Sequence, residues 1–288
     1  MKIDDLRKIS VIGSGAMGSQ IAMVCALSGY QVTLQDIQFE SLEKAKALLN
    51  SQMNKRIVKG KLTEQVVEEA FARLSFTTDL KEAVSDTDFV IEAIVEKLDI
   101  KRQLFAQLDQ LAPPHTILAT NSSTIVSSEI APATNRPEKV CNMHFFNPAL
   151  VMDLVEVVQG PHTSDETAEI TMALSKRLNK TPILLQKEIS GFVANRILGK
   201  IMNEAIYLLE NEIATAEEID LACTKALNHP IGPFALIDLT GLDVHYNVRM
   251  ERYAKSGDEA DKPSSLIVEK VERGELGRKT GQGFYAYN

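Results

Sequence analysis

His144 and Glu156 are the residues of this chain best suited to moving a proton. The stretch Cys141-Asn142-Met143-His144-Phe145-Phe146-Asn147-Pro148 reads as a strand ending in a turn, and Leu154-Val155-Glu156-Val157-Val158 as the next strand. Strand alternation puts Glu156 on a face with Leu154 and Val158, where an unpaired carboxylate is penalised. If the two strands lie back to back, Glu156 reaches His144, fixes its tautomer and stabilises the protonated ring, as a general base requires. A core histidine satisfied by other groups and a glutamate on a solvent-facing edge are equally compatible with these residues. Ser122 and Ser123 follow Asn121 at the carboxyl end of a strand, where ligands bind in open α/β sheets, although serines also cap helices. Asn195 points away from the apolar stripe Val193/Ile197/Ile201, toward solvent or a cleft.

A second group of residues could hold an anion. Gly13-Ser14-Gly15-Ala16-Met17-Gly18 follows the apolar run Ile9-Ser10-Val11-Ile12 and opens a helix over about 17–28. The first glycine permits the tight turn, the second lets the backbone approach a pyrophosphate, and the third lets the helix pack on the sheet. Asp36 closes the next strand, where its carboxylate can accept from both hydroxyls of an adenosine ribose. It would repel a 2′-phosphate, and no arginine follows in Ile37-Gln38-Phe39, so NAD is expected rather than NADP. Lys55, Arg56, Lys59 and Lys61 cluster near Gly60. They are either a solvated helix end or a landing site for the phosphates of a large substrate.

These groups must be positioned by the elements around them. Before about residue 188, strand-like runs at 74–77, 88–94, 117–120, 140–143, 154–158 and 181–185 alternate with helices, the pattern of a doubly wound α/β sheet. Beyond it every periodic segment is helical: about 191–210 as one long amphipathic helix, then 216–227 and 266–274. Two domains are expected, 1–188 and 189–288, joined near 186–190.

Composition agrees with an enzyme of this build. The chain has 288 residues, 44% of them apolar, enough for two real cores. Cys25, Cys141 and Cys223 lie far apart, so neither a disulfide framework nor a zinc knuckle is expected. The charged start Met1-Lys2-Ile3-Asp4-Asp5 has no signal-peptide character and no run is long enough to span a membrane, so a cytoplasmic protein is expected. A net charge of −8 argues against general nucleic-acid binding.

Taken together, these motifs resemble the L-3-hydroxyacyl-CoA dehydrogenase family over nearly the whole chain, and the length is similar to its stand-alone bacterial members. The resemblance rests on residues 11–18, Ile91-Glu92-Ala93-Ile94-Val95-Glu96 with Lys101, Asn121-Ser122-Ser123 and His144-Phe145-Phe146-Asn147-Pro148. It continues through Gly191-Phe192-Val193-Ala194-Asn195-Arg196, Ile231-Gly232-Pro233-Phe234 with Gly241-Leu242-Asp243, and residues 277–285. It implies a Rossmann-type sheet domain followed by an all-α domain for substrate and dimerisation, and NAD-dependent interconversion of 3-hydroxyacyl-CoA and 3-ketoacyl-CoA. A short-chain substrate such as 3-hydroxybutyryl-CoA is implied. His144 would be the base and Glu156 its support, with Ser123 and Asn195 on the reacting oxygens. Gly13, Gly15, Ala16, Met17, Gly18, Asp36, Glu96, Lys101, Asn121 and Ser123 would meet the cofactor; Ser51, Lys55 and Lys59 would hold the CoA nucleotide. The family pattern has threonine after Asn121 and a second serine after Ser123, where this chain has Ser122 and Thr124. The resemblance also implies a homodimer through the helical domain. A dehydrogenase of a free hydroxy acid, a sugar acid or 3-hydroxyadipyl-CoA, and a non-catalytic NAD-binding structural or sensor protein, are the other readings.

Overall fold

A computed structural model describes residues 2–287, apart from the side chain of Lys255. Strands β1 (Lys8–Ile12), β2 (Gln31–Gln35), β3 (Leu74–Thr77), β4 (Phe89–Glu92), β5 (Ile117–Thr120), β6 (Val140–Phe145), β7 (Leu154–Val158) and β8 (Thr181–Leu185) form one sheet in the order 3-2-1-4-5-6-7-8. All neighbours are parallel except β6 and β7. The connecting helices are α1 (Ala16–Leu27), α2 (Phe39–Val58), α3 (Glu64–Ala72), α4 (Leu80–Val84), α5 (Leu98–Leu111), α6 (Ser127–Ile130) and α7 (Asp165–Arg177).

The strands are apolar on both faces because both faces are covered. Val11, Leu34, Ile91 and Val155 pack on one side with α1, α2, α3 and α7; Ile12, Val90, Leu118 and Val140 pack on the other with α4, α5 and α6. Each fully buried side chain such as Leu34 or Phe89 contributes roughly 1.5–3 kcal/mol. The strand order reverses at β1 and β4, which opens a crevice at the carboxyl edge of the sheet, the place where such folds bind ligands. Gly13, Asp36, Ala93, Asn121 and the end of β6 all emerge along that edge.

The remaining helices form the second compact unit: α8 (Ala194–Glu210), α9 (Ala216–Lys225), α10 (Pro233–Thr240), α11 (Leu242–Ser256) and α12 (Ser265–Glu272). Its core gathers Met202, Ala205, Ile206, Ile219, Phe234, Ile237, Leu242 and Ile267. The final residues are strapped on by two carboxylates. Asp238 accepts from the N–H groups of Phe284 and Tyr285 and the hydroxyl of Tyr287, and Asp220 from the N–H groups of Phe234 and Ala235 and the hydroxyl of Tyr285.

Three details differ from the sequence reading. The units divide between Phe192 and Val193, a few residues past the expected boundary, because Phe192 packs with Val158 and Leu185 of the sheet unit. Helix α8 starts at Ala194 rather than 191, since Gly191 and Phe192 have φ of +77° and +47°. Its buried stripe is Met202/Ala205/Ile206, whereas Val193 and Ile197 are 40% and 58% exposed. The helix carries apolar residues at two phases, and periodicity alone does not choose between them.

Candidate active site

The glycine loop divides its labour as its spacing requires. Gly13 has φ +98° and donates its N–H to the Gln35 carbonyl at 2.7 Å, making the turn out of β1. A Cβ on Gly18 would lie 1.8 Å from the Gly13 carbonyl oxygen, so only glycine lets α1 sit this close to the strand. A Cβ on Gly15 would meet nothing within 4 Å among the described residues. Gly15 is also the N-cap of α1 and makes no side-chain cap, so the first N–H groups of the helix are left for an anion. Both Gly15 and Ala16 are exposed. Asp36 leans back onto this loop: one oxygen accepts from the N–H and hydroxyl of Ser14, each at 2.8 Å, and the other from the N–H of Gln38 at 3.1 Å. An open backbone cradle with a carboxylate behind it fits a dinucleotide with a free ribose 2′-hydroxyl.

Beyond β4 lies a polar cluster that the sequence reading grasped only in part. Glu92, wholly buried, accepts from Lys101 Nζ at 2.6 Å, the Ile94 N–H at 2.8 Å and the Thr120 hydroxyl at 2.6 Å. Lys101 Nζ also lies 3.2 Å from Glu96. The ammonium is committed to these two carboxylates. Glu96 in turn accepts from the hydroxyls of Ser122 and Thr124, the latter at 2.8 Å, and so grips the loop on both sides of Ser123. Burial would push the Glu96 carboxyl up, but the Lys101 charge and the two hydroxyl donors outweigh it and hold it below the usual carboxylate range. The Asn121 side-chain oxygen accepts from the Phe145 N–H at 2.9 Å, which ties the serine loop to the end of β6. Asn142 completes the brace, donating to the Ile125 carbonyl at 3.0 Å and accepting from the Ser127 N–H at 2.8 Å.

His144 and Glu156 stand directly opposite in the antiparallel register of β6 and β7. Nδ1 lies 2.9 Å from Glu156 Oε2, and the side chains are 7% and 0% exposed. A carboxylate oxygen accepts, so the neutral ring carries its proton on Nδ1 and presents the Nε2 lone pair. The phenyl rings of Phe146 and Phe192 lie 4.5 and 5.4 Å from the imidazole. Both phenylalanines stand within motifs that carry the family resemblance, but the sequence assigns neither ring a role.

Ser51, Lys55 and Lys59 share one exposed face at the end of α2 and, with Asn54 and Val58, line an open cavity of about 560 Å³. Arg56 does not belong with them. Its Nη2 donates to the Leu150 carbonyl at 2.6 Å and holds the loop that follows β6. Asn195 is part-buried in the first turn of α8, in the helical unit.

Both halves of the chain match a known protein family. Residues 8–189 match the family description "3-hydroxyacyl-CoA dehydrogenase, NAD binding domain", and residues 191–287 match "3-hydroxyacyl-CoA dehydrogenase, C-terminal domain". The chain is 42% identical to the probable 3-hydroxybutyryl-CoA dehydrogenase of Bacillus subtilis (strain 168) over 283 residues, 98% of each chain. It is 43% identical to the 3-hydroxybutyryl-CoA dehydrogenase of Clostridioides difficile over 281 residues, 98% of this chain and 99% of that one. Among solved structures, (S)-3-hydroxybutyryl-CoA dehydrogenase PaaH1 from Ralstonia eutropha superposes with a TM-score of 0.91 at 41% identity, covering 98% of this chain and 99% of the other. Both domains are matched from end to end, and the chain belongs to the 3-hydroxyacyl-CoA dehydrogenase family.

Proposed function

We propose that the protein interconverts L-3-hydroxybutyryl-CoA and acetoacetyl-CoA with NAD, using His144 as general base. The observation that supports this most is the buried His144–Glu156 pair, with Nδ1 held at 2.9 Å and Nε2 left to receive a proton. NAD, when bound, supplies the hydride acceptor, so that loss of a hydride from C3 leaves a ketone. His144 Nε2 takes the hydroxyl proton as the hydride departs, and Glu156 stabilises the imidazolium that forms. Base catalysis of this kind is worth ~10²–10⁴ in rate. In the opposite direction the same imidazolium returns the proton to the C3 oxygen.

Ser123 and Asn195 are assigned the substrate's reacting oxygens. The backbone from Gly13 to Gly18, with Ala16 and Met17 at the helix start, is assigned the pyrophosphate, and Asp36 the adenosine ribose. Glu96 is assigned the ribose at the nicotinamide end, with Lys101 acting through it, while Asn121 fixes the loop beside them. Ser51, Lys55 and Lys59 are assigned the CoA nucleotide, since their shared cavity offers two ammonium groups to its phosphates.

The helical unit leaves Ile197, Tyr207, Leu221, Leu227 and Leu239 more than half exposed. Apolar exposure on this scale supports self-association, and a homodimer through this unit is part of the proposal. No helix among the described residues is long and apolar enough to cross a membrane; a cytoplasmic location is proposed.

The test is NADH consumption by the purified protein with acetoacetyl-CoA, beside NADPH and beside free acetoacetate. Rapid turnover is expected only with NADH and the CoA ester. Turnover of free acetoacetate at a similar rate would point to a free hydroxy-acid enzyme, and NADH binding without turnover to a non-catalytic protein.

A further inference from the structure

Phe192 adopts a backbone conformation that its side chain disfavours. Its φ is +47°, following Gly191 at +77°. A bulky residue avoids the left-handed region because Cβ crowds the carbonyl, and it stays there only where its surroundings over-determine it. Here the surroundings do so. The Gly191 N–H donates to the Ser123 carbonyl at 3.2 Å and the Phe192 N–H to the Ile189 carbonyl at 3.0 Å. The side chain is wholly buried with Val158 and Leu185, against Val126 and Ile183.

Filling that apolar pocket would not by itself demand strain, nor an aromatic ring. What the strained turn achieves is to bring a phenyl ring to 5.4 Å from the His144 imidazole, with the planes tilted by 56°. Phe146 contributes a second ring at 4.5 Å and 59°. Tilted ring pairs at these separations are attractive and directional. Glu156 fixes one nitrogen of the imidazole, yet a single hydrogen bond leaves the ring free to rock about it. A neighbouring ring limits that rocking and keeps water from the buried pair, where hydrogen bonds are stronger for its absence.

We propose that Phe192 is a positioning residue for His144, its ring packed beside the imidazole to fix the ring plane and shield the His144–Glu156 hydrogen bond. The proposal rests on His144 being the base. It also links two parts of the site, because the turn that delivers the ring is hydrogen bonded to the Ser123 backbone.

Phe192→Leu tests it, leaving an apolar side chain in the pocket while removing the ring. The kcat for acetoacetyl-CoA reduction, counted per NADH-binding site, is expected to fall at least about fivefold, a modest share of the ~10²–10⁴ available to base catalysis. The KM for acetoacetyl-CoA and the Kd for NADH should stay near those of the unmodified protein. The Hε1 proton resonance of His144, identified by its loss in His144→Gln, should move as the ring current disappears. A smaller fall in kcat, an unmoved resonance, or a parallel loss of NADH binding would overturn the proposal. If Phe192→Leu does not fold, Phe192→Met is read in the same way. His144→Gln separates the two claims: if it keeps full turnover the base assignment fails, whereas if it is inactive and Phe192→Leu is normal, only the role of Phe192 fails.

Discussion

Lys101 Nζ lies 2.6 Å from Glu92 Oε1, and the two side chains are 1% and 0% exposed. The same ammonium reaches Glu96 at 3.2 Å, so one cation serves two carboxylates at the carboxyl edge of the sheet. A pair this deep gains little over two apolar residues, because desolvating both charges offsets their attraction. Removing one partner is another matter, since it strands a buried charge. Lys101→Met is expected to lower unfolding stability by roughly 3–5 kcal/mol, and the added change Glu92→Gln to recover part of that. Urea denaturation of the single and double variants measures both. Equal stability of Lys101→Met and the unmodified protein would mean that Glu92 does not depend on this charge.

Glu96 gives the site an acid limit with a definite sign. Its carboxyl is held below the ordinary value of 4.5, burial being outweighed by the Lys101 charge and the Ser122 and Thr124 hydroxyls. A carboxyl depressed by folding contributes stability that is fully present above its unfolded pKa and disappears as pH falls through the folded one. The difference in stability between the unmodified protein and Glu96→Gln should therefore be largest near neutrality and shrink below about pH 4.5. Denaturation curves taken at neutral and acid pH would reveal a constant difference if the hydroxyl and ammonium contacts were unimportant.

The role proposed for the His144–Glu156 pair predicts that chemistry and cofactor binding can be separated. Both residues lie on β6 and β7, whereas the glycine loop follows β1. His144→Gln is expected to cut turnover by ~10²–10⁴ while NADH affinity stays near normal. Glu156→Gln keeps the shape but can present an N–H to Nδ1, favouring the tautomer in which Nε2 carries the proton and cannot take another. It should also slow turnover strongly. Steady-state kinetics with a fluorescence titration of NADH distinguishes the two effects, and loss of NADH binding in His144→Gln would remove the division of roles.

What could be read from the sequence was carried by local pattern. The glycine loop announces itself by the strand before it and the helix after it, and the sheet edge on which it lies follows from the alternation of strands and helices. The histidine–glutamate pair needed only one non-local fact, the antiparallel register that sets His144 against Glu156. Other features depend on packing that spacing does not encode. Glu92 ends the apolar run of β4, and its partner is a lysine nine residues on whose charge is fully buried. Arg56 sits among cations suited to phosphate, yet it turns to a carbonyl of the loop after β6. In α8 two apolar phases coexist, and the core took Met202 and Ile206 rather than the stripe through Ile197. Phe192 is the same kind of case, because nothing in its neighbourhood predicts a left-handed φ for a phenylalanine.

Gly15 and Gly18 share a motif but not a reason, and alanine at each position separates the two. At Gly18 the new Cβ would sit 1.8 Å from the backbone oxygen of Gly13, so α1 or the loop must shift. Overpacking of this kind costs about 1–3 kcal/mol, which thermal unfolding will detect as a lowered transition. At Gly15 the backbone has φ −61° and ψ −171°, which alanine adopts freely, and the Cβ meets nothing within 4 Å among the described residues. Gly15→Ala should therefore unfold at the same temperature as the unmodified protein. Its methyl would nonetheless stand where a phosphate must approach the first N–H groups of α1, so NADH should bind at least ~10-fold more weakly. Normal NADH affinity in a normally stable Gly15→Ala would mean that the pyrophosphate does not cross the start of α1, and the cradle would have to be sought elsewhere along the sheet edge.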